Sequence, residues 1–264
     1  MNLFARFSAL TLAAATAAPA LAQHDTDILL SVIQGRLQTG SVTQDGSLNL
    51  DERVFRGTFG EIAPDFSDEP GFDSLPGTFS PASRIGFTFT AALRAWDGAA
   101  FSRIPDERVA AAFGILGPIT TPPTDQDITG FAISVSPNGE WHRHLEYTLE
   151  RADGGGPEAG IYLMELIVWS TDPAVAPSRP FWVVWSNSAD PADADAAEAW
   201  VRRTRLCPAD FNSDQFVDFF DYDDFITCFE TGVCPPGRTA DFDGDGFADF
   251  FDYDAFVTAF EAGC

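Results

Sequence analysis

The chain has 264 residues, room for one sizeable domain and a small module, and its 40 acidic residues face only 15 basic ones, all of them Arg. The formal net charge is −25, and a polyanion is attracted neither to nucleic acid nor to anionic membrane surfaces, which argues against both as partners. All four cysteines, Cys207, Cys228, Cys234 and Cys264, lie in the last 58 residues, together with fourteen of the acids and a single base, Arg238.

Residues 1–22 read as an export signal. Arg6 gives a positive start, an apolar run of membrane-inserting character follows, and Ala20-Leu21-Ala22 is a small-residue cleavage site. The run is too short for a permanent membrane helix, and no later stretch has membrane length. The mature protein is therefore expected outside the cytoplasm, secreted or attached to the cell surface, with no transmembrane segment.

Residues 23–190 are rich in Phe, Ile, Val, Thr, Gly and Pro and are expected to form an all-β domain of unknown function. Strand patterns fall at 27–33, 52–59, 85–91, 129–135, 141–149, 161–169 and 181–185. Gly- and Pro-rich turns separate them, which predicts an antiparallel sandwich or barrel. Asn138-Gly139 between two runs predicts a hairpin. The one short helix pattern in this region is 107–113. Trp182 and Trp185 point to opposite faces of their strand, so a half-exposed sheet buries at most one of them. Residues 191–206, Ala-rich with acids first and Arg last, follow the charge order a helix dipole favours and predict a connecting helix that closes the β domain and leads to the small module, with a plain linker helix as the alternative.

His142 and His144 share one face of the 141–149 run with Glu146. Two imidazoles and a carboxylate there form a second candidate site, for zinc or copper, with His24 as a third imidazole if the first strand pairs nearby. The alternative is a solvated polar face. No Gly-x-Ser-x-Gly elbow, His-Glu-x-x-His pair or phosphate loop occurs.

The densest pattern is a twelve-residue acidic loop that appears twice, 31 residues apart, at 210–221 and 241–252. A calcium loop supplies oxygens from positions 1, 3, 5, 7, 9 and 12, the seventh through a backbone carbonyl. The first copy offers Asp210, Asn212, Asp214, the Phe216 carbonyl, Asp218 and Asp221. The second offers Asp241, Asp243, Asp245, the Phe247 carbonyl, Asp249 and Asp252. Two calcium ions are the expected cofactors. Gln215 stands at position 6 of the first loop, where Gly eases a sharp turn, so that site is expected to be the weaker. Each loop runs into an apolar stripe at helical spacing: Tyr222, Phe225, Ile226 and Phe229, then Tyr253, Phe256, Val257 and Phe260. The repeat predicts an internal two-fold.

Four cysteines allow three pairings. Packing about a two-fold brings the two ends of the module together and predicts Cys207–Cys264. Cys228 and Cys234 flank a short Gly-containing turn that closes readily. Phe219, Phe220, Phe250 and Phe251 sit at equivalent helix starts. One small core is too small for all four, so at least one per repeat is expected to be exposed and to bind a partner.

Paired loops ending in Asp, each followed by one helix and framed by Cys207-Pro-Ala-Asp-Phe211 and Ala262-Gly263-Cys264, resemble the GC-type dockerins of secreted bacterial proteins. The resemblance covers residues 207–264. It implies a small α-helical, EF-hand-like module that folds with calcium and docks onto a cohesin-like or other extracellular receptor. The sequence thus reads as a mainly β domain tethered by a dockerin-like module, secreted and non-enzymatic. The alternative is an extracellular enzyme acting on polysaccharide, carried by the same anchor.

Overall fold

The computed structural model describes residues 27–43, 46–212, 216–235, 238–243 and 246–263. The strands are β1 (Ile28–Ile33), β2 (Arg36–Val42), β3 (Leu48–Asn49), β4 (Val54–Phe59), β5 (Phe66–Ser67), β6 (Phe72–Asp73) and β7 (Arg84–Phe89). They continue with β8 (Arg94–Ala95), β9 (Glu107–Phe113), β10 (Leu116–Thr120), β11 (Ile128–Ser134), β12 (Glu146–Arg151), β13 (Gly160–Ser170) and β14 (Phe181–Asn187). Three helices follow: α1 (Pro191–Val201), α2 (Phe219–Thr231) and α3 (Phe250–Ala262). Among the described residues the protein is thus mainly β, with its few helices at the C-terminal end.

Among the described residues these strands form three sheets, ordered β3-β2-β1-β6, β10-β9-β12-β5 and β11-β7-β13-β14-β4, with β8 pairing β13. Pairing is mostly antiparallel, as the short Gly- and Pro-punctuated runs predict, but β1 pairs β6 and β14 pairs β4 in parallel. One apolar cluster joins all three sheets, through Ile28 and Leu37, through Val109 and Tyr147, and through Ile85, Phe181 and Trp185.

A second cluster lies on the other face of the largest sheet. There Ala194, Ala197, Trp200 and Val201 of α1 cover Val54, Ile161, Leu163, Trp182 and Val184. Trp182 and Trp185 are therefore both buried, contrary to the expectation that one would face water. The physical reason is that α1 roofs the second face. Asp190 caps this helix by accepting from the Ala192 N–H, and Pro191 occupies its first turn. Arg202 anchors its end to Glu198 and Glu52 at 2.7 and 2.9 Å, and Arg56 pairs with Asp195 and Glu198. The helix continues as a π-type turn over Arg202–Leu206.

Two local expectations are corrected. Residues 107–113 are not a helix but strand β9, held on both edges by β10 and β12. Val109, Ala110 and Ala111 are buried there, so tertiary pairing overrides the helical tendency of an Ala-rich run. Asn138-Gly139 does make a turn, with the Gly139 N–H donating to Ser136, but it does not join a hairpin. Its carbonyls instead accept from Gly77 and Phe79. The chain then runs as an irregular segment that bridges β6 through Arg143 and Phe72, and β12 begins only at Glu146.

The C-terminal helices pack about an approximate two-fold. Phe225 and Phe256, 31 residues apart, stack with ring centroids 4.0 Å apart and planes 4° apart. Phe211 and Phe242 bracket them edge-on at 5.3 and 5.4 Å. The hydroxyls of Tyr222 and Tyr253 meet at 2.9 Å on the axis. All eight residues of the two sequence stripes join this cluster. Cys228 and Cys234 form a disulfide, as the turn between them predicts. Cys207 is also disulfide-bonded, and its expected partner Cys264 lies outside the described residues. Among the described residues no helix is long and apolar enough to cross a membrane.

Candidate metal centres

Each acidic loop is folded by its last carboxylate. Asp221 and Asp252 are buried at position 12 and double as the third helical residue of a capping box. Asp221 accepts from the N–H groups of Asn212 and Asp218 at 3.0 and 2.9 Å. Asp252 accepts from Phe242, Asp243 and Asp249 at 2.5, 3.0 and 2.7 Å. Burial pushes the Asp252 carboxyl up, but these N–H donors outweigh it and hold the group below the usual carboxylate range. The loop is thus wrapped around an ionised carboxylate.

Asp241, Asp243 and Asp252 bring ligand oxygens within 4.8 Å of one another. The Gly246 N–H closes this loop by donating to Asp241 Oδ2 at 3.0 Å. Gly246 has φ +96°, a backbone that side-chain-bearing residues rarely adopt. In the first loop Asp210 is buried, while Asp214 and Gln215, like Asp245 of the second, lie outside the described residues. Asp218 and Asp249, read from sequence as position 9 ligands, cap α2 and α3, each accepting an N–H at 2.8 Å from Phe220 or Phe251. One oxygen of each is engaged this way. An all-oxygen set suits a hard divalent cation, whose charge offsets the repulsion among the carboxylates.

Beside the loops, Phe216, Phe219, Phe220, Phe247, Phe250 and Phe251 are each 64–72% exposed. Both members of each predicted Phe pair therefore face water. Phe219 meets Phe220 edge-on at 6.5 Å, and Phe250 meets Phe251 in the same way at the same distance. The pairs are matched across the repeat and do not stack on one another.

The second cluster belongs to the β-rich region. In the segment 141–145 and into β12, Trp141, Leu145, Tyr147 and Leu149 face the core, so the intervening His142 and His144 fall together on the other side. Their Nε2 atoms are 2.9 Å apart. Neither histidine is on a solvated face, because loop 68–73 and the entry to β1 crowd them. The parallel pairing of β1 with β6 brings in Asp27 and Asp73, which with Glu69 surround the imidazoles. Burial, reinforced by the Glu69 carboxylate, pushes Asp27 up to about 6. Burial also raises Asp73. His24 lies outside the described residues, and Glu146, grouped with the histidines by alternation, is exposed on β12. The carboxylates were missed in the sequence because no local spacing relates them to the histidines.

No protein-family model matches the chain, and no curated protein matches it. Among solved structures, the CooA pilin subunit from enterotoxigenic Escherichia coli is similar at 13% identity and a TM-score of 0.28, over 61% of this chain and 99% of the pilin chain. A family 123 glycoside hydrolase from Clostridium perfringens is similar at 8% identity and a TM-score of 0.24, over 68% of this chain. This chain spans about a third, 32%, of that hydrolase chain. Likenesses at this level assign neither fold family nor function.

Proposed function

We propose that residues 207–264 are a calcium-binding, dockerin-like docking module, and that residues 23–190 are a non-enzymatic domain it tethers to a receptor outside the cytoplasm. One observation carries the reading. The convergence of Asp241, Asp243 and Asp252, with the Gly246 N–H bound to the first of them, lies in the second copy of a repeat whose first copy keeps the same buried position 12 carboxylate. Surface acids of a solvated tail have no reason to be buried, to cap helices and to repeat at a fixed offset.

In this reading each loop holds one calcium ion through the residues its spacing nominates: Asp210, Asn212, Asp214, Phe216 carbonyl, Asp218 and Asp221, then Asp241, Asp243, Asp245, Phe247 carbonyl, Asp249 and Asp252. The receptor is a cohesin-like or other extracellular protein, engaged through Phe219, Phe220, Phe250 and Phe251. Aromatics exposed in matched pairs on a charged surface are the composition of a binding patch.

The test is capture of a receptor from the secreted fraction by the immobilised full chain, in calcium and in chelator. The reading expects a partner retained only in calcium and lost from the Phe220→Ala/Phe251→Ala variant. Capture that ignores both calcium and the variant would overturn it.

A further inference from the structure

The histidine cluster poses a proton-placement problem. A neutral imidazole carries one N–H. If His142 Nε2 donates to His144 across the 2.9 Å gap, His142 Nδ1 is bare and faces Asp73 Oδ1 at 3.6 Å. If His144 donates instead, its bare Nδ1 faces Glu69 Oε1 at 3.3 Å and the Asp68 carbonyl at 3.2 Å. Among the contacts of the described residues, either neutral arrangement sets a lone pair against oxygen lone pairs. A cation seated between the two Nε2 atoms removes both conflicts. Each Nδ1 then keeps its proton and donates outward to a carboxylate or carbonyl, and both Nε2 lone pairs point inward. Outward Nδ1–H donation to oxygen is how metal-bound imidazoles are oriented.

Asp27 supplies an independent observation. It is 8% exposed, and among the described residues no N–H or hydroxyl donor reaches either carboxylate oxygen; its side-chain neighbour Glu69 is a second carboxylate, which can meet it only by sharing a proton. Its Oδ2 lies 3.9 Å from His144 Nε2, and ligand atoms of Asp27, His142 and His144 all fall within 4.8 Å of one another. A buried carboxylate without donors is costly unless a charge faces it. We infer that Asp27, His142 and His144 bind one divalent transition-metal ion of the zinc class, with Asp73 and Glu69 orienting the two imidazoles.

Two nitrogens and one oxygen are donors zinc accepts, whereas calcium takes oxygen almost exclusively. Nitrogens about 2.0 Å from a tetrahedral zinc lie about 3.3 Å apart, so the imidazoles need to part by only a few tenths of an ångström. The histidine side chains are 28% and 24% exposed, which leaves room for water as a fourth ligand. A second group, Asp73, Glu140 and His142, shares one histidine. It offers a single imidazole, and Asp73 in it is already paired with the Ser74 N–H at 2.7 Å. The ion is therefore placed on the Asp27 side. There it ties the entry of β1 to loop 68–73 and to the segment before β12.

The test uses the full chain, stripped with chelator and returned to excess calcium so that the acidic loops are saturated with a hard cation. Zinc chloride is then titrated in competition with a chromophoric chelator. One zinc per chain is expected, with the unfolding temperature rising on binding. Asp27→Asn and Asp73→Asn, both near-isosteric, should each weaken zinc at least about tenfold. Cobalt(II) added to the wild type should give visible bands that vanish in the His142→Ala/His144→Ala variant. Asp252→Asn should leave zinc binding intact, which separates this site from the loops. No zinc uptake in excess calcium would overturn the inference and leave a proton-sharing histidine pair. Unchanged zinc affinity in both Asn variants would overturn it equally.

Discussion

Gly57 of β4 lies under the face of Trp185, and a Cβ there would meet the ring at 2.3 Å. Trp185 is fully buried and stacks on Phe59 at 4.4 Å, so the ring has nowhere to go. Gly57→Ala should therefore destabilise the β-rich region by about 1–3 kcal/mol through overpacking. Gly156→Ala, in open space, should change stability by less than about 0.5 kcal/mol. Chemical denaturation of the two variants checks the pair. Asp252 answers at the same scale for the loops. Asp252→Asn keeps one acceptor but turns an amide N–H toward the N–H groups it now accepts, costing about 1–3 kcal/mol in chelated protein, and it should remove one of two calcium equivalents. Asp241→Ala should weaken total calcium uptake more than Asp210→Ala, because position 6 is Gly246 in one loop and Gln215 in the other. Calorimetric titration of the variants reads both. Residue chemistry was legible where the acidic residues follow one another along the chain, as in the two loops whose last carboxylates are buried. It was not legible for Asp27, Asp73 and Glu69, whose meeting with His142 and His144 depends on a parallel strand pairing that no local pattern encodes.

Helices α2 and α3 were readable from their apolar stripes alone, and the Asp N-caps and C-terminal glycines the structure shows agree with that spacing. The strand runs were readable from short apolar and β-branched runs set between Gly- and Pro-rich turns. β9 was not, since three consecutive alanines carry no period, and only its neighbours β10 and β12 decide its state. The very short strands β3, β5, β6 and β8 exist because partners reach them, and two residues cannot announce a strand. At this scale the disulfide and the aromatic pairs make predictions. Opening the Cys228–Cys234 link, whose sequence separation is 6, by a Cys228→Ala/Cys234→Ala variant should cost about 2 kcal/mol from the freed loop. Thermal unfolding in calcium measures it. Phe220→Ala or Phe251→Ala alone should weaken receptor capture only modestly, because the repeats present equivalent faces. The double variant should abolish capture while calcium binding stays intact. Loss of all capture in one single variant would show that the two faces are not equivalent.

Over the whole molecule, the sequence indicated a β-rich region followed by a short helical repeat, and the apolar clusters are arranged that way. The sequence also indicated that the helix of residues 191–206 closes the β-rich region; what it did not show is that the surface α1 covers is the outer face of the largest sheet. Burial of both Trp182 and Trp185 follows from that docking and not from anything within β14. Charge is distributed on the same scale: more than half the formal net charge of −25 falls in residues 207–264, with fourteen acids against Arg238. Arg238 is itself drawn inward, donating to the Arg203 and Asp210 carbonyls and lying 5.6 Å over the Phe211 ring. In the function proposed for this region, cations offset the repulsion among these acids, and their binding free energy becomes folding free energy. Isothermal titration of calcium into the chelator-stripped full chain, followed by far-ultraviolet circular dichroism on the same samples, tests this most directly. The account predicts uptake of two calcium ions per chain with a gain of helix that chelator reverses. A chain that takes up no calcium, or whose helix content is the same in calcium and in chelator, would contradict it.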